Sequence, residues 1–215
     1  MKRHDKLAET IPYGTLGILA LESSRNMGKR VNDYIVDWRN DRAQNHATAA
    51  SFAGYNRDSF IIDSACPRFG SGEAKGIIRE SVRGQDLYIL VDVCNYNLTY
   101  TVCGQTNHMS PDDHYQDLKR IIAAVGGKAR RITVIMPFLY ESRQHRRSAR
   151  ESLDCALALQ ELTQMGVESI ITFDAHDPRV QNAIPLKSFE TVQPTYQFIK
   201  ALLKNVDDLK IDTDH

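Results

Sequence analysis

The order of apolar segments predicts an α/β domain, a mostly parallel sheet flanked by helices. Two observations carry this. Short runs rich in β-branched residues alternate with longer segments whose apolar residues recur at helical spacing, which is the pattern of βαβ units with right-handed crossovers. Polar clusters then follow several of the strands, where ligands of such sheets bind.

Taken in order, Leu16–Leu21 is an apolar run after Tyr13-Gly14, short enough for a buried strand. Ser23-Ser24 offers a helix cap, and Met27, Val31, Tyr34 and Ile35 recur at helical spacing. The alanine-rich polar stretch Arg39–Arg57 has no clear period and reads as a loop or insertion. Ser59–Ile62 is a short strand candidate, and Pro67–Gly72 is turn chemistry. Leu87–Val93 is nearly continuous in apolar residues, which suits a strand covered on both faces. A polar segment follows. Ser110-Pro111-Asp112-Asp113 is then a strong helix start, with a serine cap, proline in the first turn and two carboxylates at the positive end of the dipole. Leu118, Ile121, Ile122 and Val125 form that helix's stripe, and Gly126-Gly127 ends it. Ile132–Met136 reads as a strand, Leu153–Leu162 as a helix closed near Gly166, and Ser169–Phe173 as the next strand. Tyr196–Leu203 reads as a further amphipathic helix.

Composition narrows the function classes. The chain has 215 residues, 42% hydrophobic and 25% charged, the proportions of ordinary globular protein. Lysine plus arginine equals aspartate plus glutamate at 27 each, so no global field draws it to nucleic acid or a membrane, and any anion site is local. No apolar run approaches the roughly 20 residues that span a bilayer, and the polar start carries no secretory pattern, so a cytoplasmic protein is expected. Cys66, Cys94, Cys103 and Cys155 lack zinc-ligand spacing and are expected to be buried thiols.

Three clusters can carry chemistry. Phe69-Gly70-Ser71-Gly72-Glu73 is a glycine-rich turn that admits a base or phosphate, with Glu73 as an acceptor; by itself it equally fits a solvated turn. Arg143-Gln144-His145-Arg146-Arg147, with Arg150, places several cations past a strand end and suits either a polyphosphate clamp or a solvated loop. Asp174-Ala175-His176-Asp177 ends the next strand, so Asp174 and His176 can share one side and hold a divalent ion, or Asp174 can simply cap the following turn. His108, Asp112, Asp113 and His114 look superficially like a metal cluster, but the aspartates are already explained by the helix start.

In that order, F-G-S-G-E, E-S-V-R-G at residues 80–84, R-Q at 143–144 and D-x-H at 174–176 resemble the ribose-phosphate diphosphokinase family over about Phe69 to Leu203. The resemblance implies a phosphoribosyltransferase-like domain over residues 1–205, with an insertion near 39–57. Residues 206–215 would begin a second domain whose sugar-phosphate, diphosphate and lysine-bearing loops do not occur here. It implies transfer of the β,γ-diphosphoryl group of MgATP to ribose 5-phosphate, giving AMP and phosphoribosyl diphosphate, in nucleotide biosynthesis. By that resemblance Phe69, Ser71 and Glu73 contact the adenine side across a subunit boundary. Arg143, Gln144 and Arg150 hold ATP, His176 is the catalytic residue at the magnesium–triphosphate, and Asp174 supports the Mg2+. Homo-oligomers, dimers building into hexamers, are implied with it. His145 departs from the family pattern, which has an aspartate there. A partial form that does not complete the reaction alone is expected; a non-catalytic nucleotide-binding or assembly homologue is the alternative.

Overall fold

The computed structural model describes residues 12–45, 54–173 and 175–206. Five strands, β1 (Thr15–Ala20), β4 (Gln85–Leu90), β7 (Arg131–Ile135), β8 (Ser169–Thr172) and β9 (Ser188–Thr191), form one sheet in that spatial order. Every neighbouring pair is parallel. The helices between them are α1 (Arg25–Asn45), α2 (Pro111–Val125) and α3 (Asp154–Gln164), and α4 (Thr195–Asn205) follows β9.

The segment expected as a strand at Ser59–Ile62 makes a single parallel bridge, Ile61 to Ile18, on the free side of β1. Ile18 N–H donates to Phe60 O and Ile62 N–H to Ile18 O, both at 2.8 Å. The chain therefore runs from β1 outward to this segment, then returns past β1 to β4. Direction reverses there. Right-handed crossovers on either side of a reversal put their helices on opposite faces. The core divides accordingly: Leu19, Leu87, Ile89, Val91, Ile132 and Val134 pack with the apolar faces of α2 and α3, whereas Ile18, Phe60 and Leu90 pack with Met27, Ile35 and Val36 of α1.

Contact between α1 and β1 is close enough to require glycine. A Cβ at Gly28 would lie 2.3 Å from Ala20 Cβ. Asn32, 6% exposed, fastens the same helix to the outer segment, its Oδ1 accepting from Phe60 N–H at 2.8 Å. On the other face α2 is built as its sequence predicts. Ser110 and Asp113 form a reciprocal capping box, Leu118, Ile121, Ile122 and Val125 are buried, and Gly126 closes the helix at φ 58°.

Several expectations need correction. Residues 39–45, read as loop, continue α1, and residues 46–53 of the same stretch lie outside the described residues. The serines do not cap: the chain enters α1 through a 3-10 turn at Glu22–Ser24, Ser23 Oγ accepts from Asp92 N–H at 3.1 Å, and Ser24 Oγ has no partner. The polar segment after β4 contains an antiparallel hairpin, β5 (Thr99–Val102) and β6 (Gln105–His108). A short pair, β2 (Ser64–Ala65) with β3 (Ile77–Ile78), frames the glycine-rich turn, and β9 has no counterpart in the sequence reading. These strands are two to four residues of mostly polar sequence, too short for a period to register. The helix α4 forms as expected, yet buries no residue. Among the cysteines only Cys155 is buried; Cys66 is half-buried, and Cys94 and Cys103 are exposed.

Replacing Gly28 with alanine should lower stability by about 2 kcal/mol in chemical denaturation, because the added methyl has no room against β1. A stabilised variant, as helix propensity alone predicts, would refute this close contact.

Candidate active site at the carboxyl edge of the sheet

All five strands point their carboxyl ends to one edge, so the loops after β7 and β8 emerge side by side. The loop after β7 turns tightly. Ser142 N–H donates to Leu139 O at 3.1 Å and Gln144 N–H to Glu141 O at 2.9 Å, with Glu141 at φ 56°, a left-handed conformation costly for a residue with a side chain. Burial and the nearby Asp154 and Asp112 carboxylates raise the Glu141 carboxyl above its ordinary range. Gln144 holds the following segment, its Nε2 donating to Ser152 O at 2.7 Å. The Arg143 guanidinium is exposed and forms no hydrogen bond or ion pair among the described residues. It lies near enough to Cys94 and Glu141 to act on both electrostatically.

Two loops meet at Ser142. Its buried hydroxyl accepts the His176 backbone N–H at 2.7 Å, tying the end of β8 to the turn after β7. The His145 ring sits 5.3 Å from that of His176, tilted by 50°, and its Nε2 is 3.6 Å from Asp177 Oδ2. His145 Nδ1 is buried without a hydrogen-bond partner among the described residues. Asp177 also caps the next 3-10 turn, accepting from Arg179 N–H at 2.9 Å, and is gripped by the Arg179 guanidinium. Those Arg179 contacts hold the Asp177 carboxyl well below the usual carboxylate range. The loops that carry Arg143, Gln144 and His176 thus meet through Ser142. Asp174 lies outside the described residues, and Arg150 is exposed on the far part of the loop.

The glycine-rich turn stands apart. Phe69 N–H donates to Glu73 O at 2.7 Å, Ser71 Oγ to Glu73 Oε2 at 2.8 Å, and Phe69 is exposed. Its root is Arg68, which pairs with Asp117 at 2.8 Å while Arg120 holds the other Asp117 oxygen at 2.6 Å. Burial still raises the Asp117 carboxyl despite both guanidiniums, as desolvation outweighs pairing at a site this enclosed. No hydrogen bond, ion pair or ring contact among the described residues links Phe69, Ser71 or Glu73 to Arg143, Gln144 or His176.

No group of three His, Cys, Asp or Glu side chains converges on a metal position among the described residues. The apparent cluster near α2 is structural: His114 Nε2 is bonded to Asn95 O at 2.8 Å, and His108 stacks on Tyr96. Around His176 the nearby carboxylate, Asp177, is already committed to Arg179. Such a donor set fits Mg2+ only as an ion carried in by a polyphosphate, which keeps its waters and asks few ligands of the protein.

A family profile described as the N-terminal domain of ribose phosphate pyrophosphokinase matches residues 16–166. The chain belongs to the ribose-phosphate pyrophosphokinase family. The fission yeast Schizosaccharomyces pombe ribose-phosphate pyrophosphokinase 1 is 31% identical over 148 residues, 68% of this chain and 32% of that protein. Ribose-phosphate pyrophosphokinase B of Dictyostelium discoideum is 29% identical over 62% of this chain and 38% of its own. The crystal structure of phosphoribosylpyrophosphate synthetase from Mycobacterium smegmatis superposes with a TM-score of 0.66 at 19% identity, covering 89% of this chain and 52% of that one. The chain therefore spans about a third of the first of these relatives and about half of the solved one. The pyrophosphokinase family carries the resemblance seen in the motifs, and the solved relative shares the phosphoribosyltransferase-type fold. No helix of the described residues is long and apolar enough to cross a membrane.

Ser142, the joint of the site, was not visible in the sequence, because its partner is 34 residues away. Ser142→Ala removes the buried acceptor of the His176 N–H and should cost about 1–2 kcal/mol, with faster amide exchange at His176. Asp177 should protonate only well below the ordinary Asp value of about 3.9. Because its folded pKa is depressed, its stabilising contribution is present above that value and lost as pH falls toward the folded pKa. Arg179→Ala should return the Asp177 titration, followed by carboxyl NMR shifts, toward the ordinary range.

Proposed function

We propose that this chain supplies the nucleotide-binding half of a ribose-phosphate diphosphokinase acting in nucleotide biosynthesis, its substrates MgATP and ribose 5-phosphate. The observation that carries the reading is the union of the Arg143–Gln144 loop with the His176 loop through Ser142 at the carboxyl edge of the sheet. In the proposed reaction the C1 hydroxyl oxygen of the sugar attacks the β-phosphorus of ATP. The bond from that phosphorus to the α–β bridging oxygen breaks, AMP leaves, and the hydroxyl proton is released. Bound Mg2+ would neutralise the triphosphate charge. Catalysis then consists mainly of positioning and electrostatic stabilisation.

In this reading the exposed Arg143 fork clamps phosphate oxygens. Gln144 spends its amide N–H groups on loop carbonyls and offers its amide oxygen to the nucleotide. His176 is the catalytic residue at the triphosphate, with Asp174 beside it toward the metal and Arg150 as an outer phosphate contact. Phe69, Ser71 and Glu73 reach the adenine of a second copy, since no contact among the described residues joins them to the His176 side. The reading includes a homo-oligomer with shared sites, dimers building into hexamers, and a cytoplasmic setting. The sugar phosphate's binding groups belong to a second domain, to which residues 206–215 lead.

A non-catalytic nucleotide-binding or assembly homologue is the second reading. What favours it is His145, whose imidazole stands against His176 with one nitrogen buried and unpartnered, where the family pattern has a carboxylate.

Calorimetric titration with MgATP should show binding that Arg143→Ala weakens about tenfold or more, the loss of a charge-assisted fork. Unchanged affinity in that variant would remove the polyphosphate role. The isolated 215-residue chain is expected to release no AMP from MgATP with or without ribose 5-phosphate. Sugar-dependent release would instead place the sugar-phosphate site within these residues.

A further inference from the structure

The reversal at β1 leaves a crevice between the carboxyl ends of β1 and β4, bounded on one side by Pro137 and Phe138 at the start of the loop after β7. Crevices at such reversals are where open parallel sheets bind ligands. Two adjoining chambers occupy it. The outer one, of about 600 Å³, is the more polar of the two, with Ser23, Ser24, Asp92, Asn95 and Asn97 among its walls beside Pro137 and Phe138. The inner one, of about 290 Å³, runs beneath the β5–β6 hairpin and is largely apolar, with Leu21, Pro67, Tyr100, Met109 and Ile121 in its lining. Glu22, Ser23 and Leu98 belong to both.

The polar groups fall into two kinds. Those of the inner chamber are used up within the protein: Asp117 by Arg68 and Arg120, His114 by Asn95 O, and Arg68 also over the Tyr100 ring at 4.8 Å. The outer chamber keeps capacity in reserve. Ser24, 3% exposed, has a buried hydroxyl without a hydrogen-bond partner among the described residues, and a buried hydroxyl left unpaired costs stability unless a ligand meets it. Asp92 uses one oxygen to accept Cys94 N–H at 2.9 Å, and neither of its oxygens meets a cation among the described residues. Asn97 N–H donates to Asn95 Oδ1 at 3.1 Å, and its side-chain amide makes no hydrogen bond among the described residues.

We propose that this crevice is a nucleoside-binding site, distinct from the ATP contacts proposed above, none of whose residues lines it. A carboxylate, an amide and a hydroxyl recognise vicinal sugar hydroxyls, because each can accept from or donate to an O–H without demanding a charge. The apolar chamber beside Tyr100 takes a planar base, and its size together with its neighbour's suits a ligand pocket of roughly 300–1,000 Å³. The outer walls carry Glu22 and Asp92 against a single cation, Arg25, which Glu22 already holds in an ion pair. That balance favours the neutral nucleoside over its phosphates. The hairpin that roofs the inner chamber is what creates the site.

The experiment is a calorimetric titration of the 215-residue chain with adenosine, guanosine, cytidine and uridine, with MgATP titrated in parallel. At least one nucleoside should bind saturably. Asp92→Asn, which keeps the local turn, should weaken it about tenfold, the loss of a hydrogen bond to a charged acceptor. Leu98→Trp should abolish it by filling the passage between the chambers. Arg143→Ala should leave nucleoside binding unchanged while weakening MgATP, so failure here and failure of the ATP reading are separable. Ser24→Ala gives a check independent of affinity: removing the unpaired hydroxyl should raise the melting temperature of the free protein and reduce the further rise on adding nucleoside. No saturable binding of any of the four would overturn the proposal. So would nucleoside binding that disappears in Arg143→Ala, or that survives both Asp92→Asn and Leu98→Trp intact.

Discussion

Burial of β4 on both faces is the constraint on which the rest of the molecule depends. Leu87, Ile89 and Val91 are each fully enclosed on the α2 side, and Leu90 is enclosed on the α1 side. A strand that must be covered twice forces helices onto both faces, and short right-handed connections deliver them there only if the chain changes direction beside it. That change occurs between the outer segment at Phe60–Ile62 and β4, with β1 in the middle. The carboxyl edge, where every loop of chemical interest emerges, inherits its order from this arrangement.

Tight packing is unevenly distributed around that strand. The α2 side is a continuous core, capped by Ser110 and Asp113 and ended by Gly126. The α1 side is thinner, and the helix is held by a few specific devices: the close approach at Gly28, the buried Asn32 amide, and Arg39, whose guanidinium lies over Phe60 and donates to Tyr55 O at 2.8 Å. Burial lowers the Arg39 pKa from its ordinary value, so the anchor is costly to desolvate. Toward β7 and β8 this face carries Tyr88, Arg131, Thr133 and Glu190, with Asp86 gripping Arg131 through Nε at 2.7 Å.

Polar groups at the carboxyl edge are tied to backbone more than to one another. Ser142 takes the His176 N–H, Gln144 holds Ser152 O, and Asp177 caps the turn after His176. Such bonds orient loops without consuming the outward-facing Arg143. The glycine-rich turn is rooted instead in the buried Arg68–Asp117–Arg120 set, a costly arrangement that gives the turn a rigid base while leaving Phe69 exposed. Burial pushes the Cys66 thiol to about 12 and the Cys155 thiol to about 11, which disfavours the nucleophilic thiolate at both.

What the sequence alone determined is whatever depends on neighbours along the chain. Apolar runs and helical stripes located β1, β4, β7, β8, α2, α3 and α4; the Ser110 cap and the Gly126-Gly127 stop needed only local backbone chemistry, and the ordered motifs pointed to the family. Tertiary structure decided everything that depends on distant partners. It showed that Ser23 serves Asp92 rather than its own helix, that the polar stretch after β4 folds into a hairpin over a cavity, and that Ser142 joins two loops. It also showed the Phe69–Glu73 turn standing apart from His176 in one chain. The physical reason is the range of the forces involved. Periodicity and capping act within a turn or two of the backbone, whereas hydrogen bonds and cavities form between segments that only the completed sheet brings together.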